Sequence, residues 1–331
     1  MPGKAIVLVS GGLDSLLAAR LLMEQGIECT GFHCILPFVP PDADPSFLPA
    51  IRMTRQIDLP TRTYRCGIDY IEMLRNPPHG YGTHINPCID CHIYFLKKAA
   101  EAMKEMQADF VATGEVVGQR PMSQMKHMLN HIEKASGLRG RLLRPLSAGL
   151  LKPTIPELEG IVDRTRLLSI HGRSRTEQFN LAERFGIREY SSPAGGCLFT
   201  DRFIASRIMD LFRHYENIDI LDVYLCTIGR QYRISSDAKL IVGRNEEENA
   251  ELIKYRNWAD YLFMPQFKGP AASVKGVLDD AGLHCVGSIL AFYGRKDPSE
   301  KKAKMHRRGM DPVELHLPKA IESSRLDAMR I

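Results

Sequence analysis

An apolar run, Ala5-Ile-Val-Leu-Val9, passes directly into Ser10-Gly-Gly-Leu-Asp-Ser15 and then into a helix-like stretch over residues 16–25. A strand that enters a helix through two glycines leaves the chain few options. Glycine lets the backbone approach phosphate oxygens, the helix N-terminus offers free N–H groups, and Ser10 and Ser15 add hydroxyl donors. The turn reads as an anion cradle. The Walker spacing, with Lys-Ser or Lys-Thr after the second glycine, is absent. A plain strand–helix corner is the bland alternative.

The first half of the chain keeps alternating. Strand-like runs at residues 28–33, 62–65 and 110–113 are separated by helical stretches at 46–56, 70–75 and 89–106. Such alternation predicts an α/β fold, a Rossmann-like parallel sheet with helices on both faces. Ligands of such sheets bind beyond the strand carboxyl ends. The phosphate loop, His33 and the segment 114–120 all fall there. Ser174-Arg-Thr-Glu177 reads as a capping box opening a helix that ends at Gly186. From residue 223 the pattern changes to strand alternation around turns, which predicts a smaller α+β domain. The expected division is 1–205 for the nucleotide domain, 206–222 for a linker helix, 223–296 for the second domain, and 297–331 for a charged, loosely packed tail.

The chain has 331 residues and a formal net charge of +5. The distribution says more than the sum. Residues 120–175 hold 11 Lys and Arg against 4 Asp and Glu, and residues 295–308 hold 7 against 2. Two concentrated basic stretches suit a polyanionic partner such as RNA, since phosphate neutralisation dominates nucleic-acid affinity; a solvated basic face is the alternative. No run reaches the ~20 apolar residues of a membrane span, and the N-terminus enters a strand without a signal peptide, so the expectation is a cytoplasmic protein with no membrane partner.

Eight cysteines without a secretion signal argue against a disulfide framework. Cys29, Cys34, Cys66, Cys226 and Cys285 lie in or beside apolar runs and read as core. Cys88 and Cys91, in Asn86-Pro-Cys-Ile-Asp-Cys-His92, sit at a loop-to-helix junction, where the helix dipole lowers thiol pKa. Cys197 follows a glycine-rich loop about a hundred residues on. Three thiolates can hold three irons of a [4Fe–4S] cluster and leave the fourth open. His92 as a fourth ligand would make a zinc site instead, and a persulfide with a resolving cysteine is the metal-free option. Asp14 suits a hard cation that accompanies a bound phosphate, with helix capping as its alternative role. Glu115, Gln119 and Arg120 are candidates for nucleotide or substrate binding.

These residues together resemble the PP-loop ATP pyrophosphatases, and among them the tRNA thiolases. Ser10–Ser15 is similar to the SGGxDS pyrophosphate loop. Residues 114–124 resemble the GExLGQxxSQT segment of ThiI-type 4-thiouridine synthases, and Gly31-Phe-His33 is loosely similar to their second strand. Asn86–His92 resembles the NPDxxCN segment of MnmA-type 2-thiouridylases, with Cys88 where those carry aspartate. The resemblance spans about residues 4–205 and implies an adenine nucleotide alpha hydrolase-like fold. It implies ATP binding at Ser10, Gly11, Gly12, Asp14, Ser15, His33 and Gly114, catalysis by Asp14, Cys88, Cys91 and Cys197, and ATP, Mg²⁺ and a [4Fe–4S] cluster as cofactors. The implied activity is ATP-dependent thiolation of a tRNA uridine, with tRNA and a sulfur donor as partners. A 2-thiouridylase, an amide-forming PP-loop ligase on a non-RNA substrate and a non-catalytic RNA-binding protein are the rivals. The usual THUMP and rhodanese domains have no room here. Residues 229–245, with Glu248-Asn249, resemble the opening of the NFACT-R domain, a proposed RNA-binding module. The resemblance names Arg230, Tyr232, Arg233, Arg244 and Lys268, together with Arg120, as RNA-facing candidates. Oligomeric state stays open, with a homodimer as the one assembly considered.

Overall fold

Successive residues of the first strand point to opposite sides, and each side finds its own apolar partners. In the computed structural model, which describes residues 2–191, 197–294 and 301–331, Ala5 and Val7 pack into one buried cluster and Ile6 into another. The strands are β1 (Lys4–Leu8), β2 (Glu28–Ile35), β3 (Thr61–Arg65), β4 (Phe110–Thr113) and the short β5 (Leu142–Leu143). All pair in parallel, in the order β3-β2-β1-β4-β5. The helices between them are α1 (Leu13–Met23), α2 (Pro49–Arg55), α3 (Ile68–Arg75), α4 (Cys88–Glu105), α5 (Lys126–Ala135), α6 (Ile155–Leu158) and α7 (Thr176–Arg184). Residues of α1 and α7 fill the cluster on one face of the sheet; residues of α4 and α5 fill the other. This is the expected Rossmann-like sheet with helices on both faces. It forms one compact unit, Met1–Asp201.

The second unit is Arg202–Ile331. Two helices, α8 (Arg202–His214) and α9 (Ile220–Leu225), precede β6 (Arg230–Ser235), β7 (Ala238–Val242), α10 (Glu246–Lys254), β8 (Tyr261–Pro265) and β9 (Ala272–Lys275). Then follow α11 (Asp280–Tyr293), β10 (Lys302–Arg307), β11 (Val313–His316) and α12 (Ser323–Ala328). The six strands form one antiparallel sheet, β11-β10-β8-β9-β7-β6.

Two expectations fail here. The segment 206–222 is no free linker: Arg207 and Asp210 of α8 are buried, with Arg207 donating to the Cys226 and Gly229 carbonyls and Arg233 Nε donating to Asp210 Oδ1 at 3.0 Å. Residues 302–331 are no loose tail either. β10 pairs with β8, and Ile321 and Leu326 close the core beside Tyr232 and Val286. The charges that made this segment read as solvated sit on the outward face of a strand whose inward residue, Ala303, is fully buried. Residues 297–300 of the expected tail, and Arg295 and Lys296 of the basic stretch, lie outside the described residues. Among the described residues no helix is long and apolar enough to cross a membrane.

Candidate functional site

The Ser10–Ser15 loop is held by its own atoms. Ser15 Oγ donates to the Gly12 carbonyl at 2.8 Å, and the Gly12 N–H donates to Ser10 Oγ at 3.3 Å. Gly11 has φ +78°, and a Cβ there would come 2.9 Å from Ala50 Cα, so only glycine fits the turn. Gly12 is the N-cap of α1 and no side chain caps that helix, leaving its N–H groups for a ligand. Asp14 therefore does not act as a cap. Its carboxylate accepts from Gln119 Nε2 at 2.8 Å and from Arg175 Nη2 at 3.0 Å.

Gly114 explains itself by contact. A Cβ there would lie 2.4 Å from the Asp14 carbonyl carbon and the Ser15 nitrogen, so the end of β4 presses on the first turn of α1. His33, at the end of β2, donates from Nδ1 to the Val9 carbonyl at 2.8 Å, and burial lowers its pKa. Glu115 is unavailable to nucleotide. It is buried, accepting from His92 Nδ1 at 2.8 Å, Arg144 Nε at 2.9 Å and Thr113 Oγ1 at 3.1 Å. Burial alone would push its carboxyl up, but Arg144 and His92 hold it down at about 2.

Cys88 and Cys91 stand in the first turn of α4, as the spacing requires, and Cys91 Sγ meets the Tyr70 hydroxyl at 3.0 Å. The expected lowering of thiol pKa by the helix N-terminus is overruled at Cys91: burial pushes its thiol up to about 12. Burial also raises Cys197, while the exposed Arg120 draws it down. Cys88 and Cys197 each disfavour ionisation of Cys91, so the structure brings the three thiols into one neighbourhood. Three thiols match the donor chemistry of an iron–sulfur cluster. Yet among the described residues no group of three His, Cys, Asp or Glu side chains stands in an arrangement that holds a metal ion. His92, the alternative zinc ligand, is turned to Glu115. Residues 192–196 of the loop before Cys197 lie outside the described residues.

Sequence reasoning missed several participants. Arg175 and Gln178 join the phosphate loop through Asp14 and Gln119, with Gln178 Nε2 donating to Gln119 Oε1 at 3.2 Å. The expected capping box of α7 does not form: the N-cap is Arg175, no side chain caps the helix, and Ser174 Oγ instead meets Thr176 Oγ1 at 3.2 Å. Ser191 N donates to the Gly11 carbonyl at 2.9 Å, tying the chain before Cys197 to the phosphate loop. Cys29, Cys66 and Cys226 are core residues as expected; the Cys66 thiol also meets that of Cys34, and this contact with burial raises it far above its ordinary range.

In the second unit the RNA-facing candidates divide. Lys268 is exposed. Arg230 is half-buried, its guanidinium 4.8 Å from the Tyr293 ring, and Arg244 pairs with Glu248. Tyr232 is fully buried with its hydroxyl on that of Tyr293, so its ring has no face for a base. Arg233 is spent on Asp210. Those two assignments are corrected: the inward and outward sides of β6 are both covered at these positions.

With loop, thiols and second sheet in view, the comparisons with known proteins fall into place. Residues 1–159 match the thiamine biosynthesis protein (ThiI) family. Residues 229–320 match the NFACT protein RNA binding domain, which reaches past the expected boundary at 296. The tRNA-specific 2-thiouridylase MnmA of Chlorobaculum tepidum is 26% identical over 193 residues, 56% of this chain and 49% of that protein. A probable tRNA sulfurtransferase of Methanosarcina acetivorans is 31% identical over 126 residues, 35% of this chain and 28% of that protein. The chain spans half or less of the length of these curated relatives. The solved U34-tRNA thiolase NcsA of Methanococcus maripaludis, with its [4Fe–4S] cluster, is 19% identical, covering 68% of this chain and 69% of that one, at a TM-score of 0.33.

Proposed function

We propose that this protein is an ATP-dependent tRNA uridine thiolase that makes 4-thiouridine. The reading is supported by an uncapped glycine loop and three neighbouring cysteines from distant parts of the chain within one α/β unit. The NFACT-type RNA-binding match over residues 229–320 supports tRNA as the substrate. Similarity of residues 114–124 to the ThiI-type segment supports position 4 of the base. The relatives named 2-thiouridylase favour 2-thiouridine as the second reading.

In this scheme Ser10, Gly11, Gly12 and Ser15 receive the polyphosphate of ATP, and Asp14 takes its Mg²⁺. The uridine carbonyl oxygen attacks the α-phosphorus, forming a P–O bond as the bond to the bridging oxygen breaks and pyrophosphate leaves. The adenylated oxygen then departs as AMP when a sulfur nucleophile, supplied at Cys88, Cys91 and Cys197 by an external donor, adds to the same ring carbon. Cys88, Cys91 and Cys197 are the residues that would hold a [4Fe–4S] cluster, and such a cluster would supply the sulfur-delivering chemistry. Arg120 and Lys268 carry charge toward the RNA backbone. The domain division, a 1–205 catalytic part and a 223–320 RNA-binding part, belongs to this proposal, as does a cytoplasmic location.

Nucleoside mass spectrometry of tRNA from a deletion strain tests it. Loss of 4-thiouridine is expected; loss of 2-thiouridine selects the second reading, and unchanged thiouridine overturns both.

A further inference from the structure

The nucleotide loop faces a second anion-binding element that the opening motif does not contain. Helix α7 begins at Arg175 with no side chain on its first-turn N–H groups. Arg175 is partly buried and bridges to the phosphate loop through Asp14 Oδ1, while its Nε is buried without a hydrogen-bond partner. One turn on, Gln178 is fully buried, and its Oε1 also has no partner. Its amide hydrogen-bonds Gln119, which hydrogen-bonds Asp14. Two uncapped helix N-termini, those of α1 and α7, are thus joined by one ion pair with the unsatisfied Arg175 Nε donor beside it, whereas Gln178 Oε1, an acceptor, offers nothing to an anion. The only acid in the first turn of α7 is Glu177, and it is exposed.

An Arg–Asp pair in such a place blocks both partners. Asp14 cannot take a cation while Arg175 holds it, and Arg175 cannot take an anion. Magnesium nucleotide brings both charges at once, so each side chain exchanges a protein partner for a ligand partner and neither is left uncompensated. We propose that Arg175 and the N-terminus of α7 bind the β,γ-diphosphate of ATP, the part that leaves as pyrophosphate, and that the Arg175–Asp14 ion pair is the latch of the nucleotide-free state. This rests on the ATP-binding part of the function proposed above and not on tRNA or sulfur.

The test is calorimetric titration of the full chain with Mg²⁺-ATP, Mg²⁺-pyrophosphate and AMP, comparing wild type with Arg175→Gln and Arg175→Lys. Arg175→Gln is expected to weaken ATP and pyrophosphate about tenfold, the scale of one charged hydrogen bond, and to leave AMP within twofold. Arg175→Lys should recover part of the loss. Equal weakening of all three ligands, or unchanged pyrophosphate binding, overturns the proposal. A second variant guards against misfolding of the first: Asp14→Asn frees Arg175, and without Mg²⁺ it should bind pyrophosphate several-fold tighter than wild type. No gain there also overturns it. Wild type that binds ATP but leaves tRNA unmodified defeats the thiolase reading and leaves this one standing.

Discussion

The phosphate loop and the thiol group sit at the same sheet edge but are built in opposite ways. The loop is a local object: six consecutive residues hydrogen-bonded to one another, with Gly114 and Ala50 pressed against them. The thiols are a tertiary object, two from the start of α4 and one a hundred residues later, with Cys91 sealed against Tyr70. The first is organised mainly by contacts among its own six residues. The second depends on the whole unit for its neighbourhood. Local chemistry builds the loop; long-range packing brings the thiols together.

The sharpest way to break this contrast is to remove one half and read the other. Cys91→Ala and Cys197→Ala are each expected to abolish thiouridine in complemented cells while leaving ATP affinity within about twofold, because charged contacts to phosphate are untouched. A variant that loses both would show the halves are one site. Next in size is Glu115→Gln, which leaves buried Arg144 with Glu133 as its remaining carboxylate partner and should cost about 2–3 kcal/mol in denaturant unfolding at pH 7. The sign follows from the lowered carboxyl. This contribution is full above the ordinary carboxylate value of about 4.3. It is lost as pH falls through about 2, so the gap between variant and wild type should narrow across that window.

Gly114→Ala should lower stability by about 1–3 kcal/mol and weaken ATP binding, since the methyl must displace backbone of the phosphate loop. Thermal melting with and without nucleotide separates the two effects; unchanged ATP affinity would show that the close approach of β4 does not shape the loop. The smallest expected change is in RNA binding. Lys268→Ala should reduce the salt slope of tRNA affinity by about one, whereas Tyr232→Phe should leave affinity and slope unaltered. A tRNA defect in Tyr232→Phe, which keeps the ring and removes the hydroxyl, would show that the Tyr232–Tyr293 hydroxyl contact supports RNA binding.

What was legible in the sequence follows the same division. Strand–helix alternation and the glycine loop are local patterns, so the parallel sheet and the phosphate turn could be read from them. Cys88 and Cys91 could be placed on one helix turn by spacing, but nothing local announces that burial would raise the Cys91 thiol against the pull of the Tyr70 hydroxyl. Arg175 was hidden because Ser174 and Glu177 spell a capping box, and the arginine between them reaches Asp14, 161 positions away in the chain. Glu115 looked like a ligand residue because its partner Arg144 lies 29 residues on, with no periodicity connecting them. Tyr232 and Arg233 are RNA-facing candidates through the NFACT-R resemblance, and no local pattern signals that Tyr293 and Asp210 occupy them.

The last thirty residues, once joined to the sheet, change how this protein can be handled. Cutting the chain near residue 297 would remove β10 and β11 and leave β8, Tyr261–Pro265, as an unpaired edge carrying Tyr261, Leu262 and Phe263. An apolar open edge is a template for pairing with other chains. A shortened protein would come out of the cell as aggregate, and its silence in any tRNA assay would say nothing about the chemistry of the first two hundred residues.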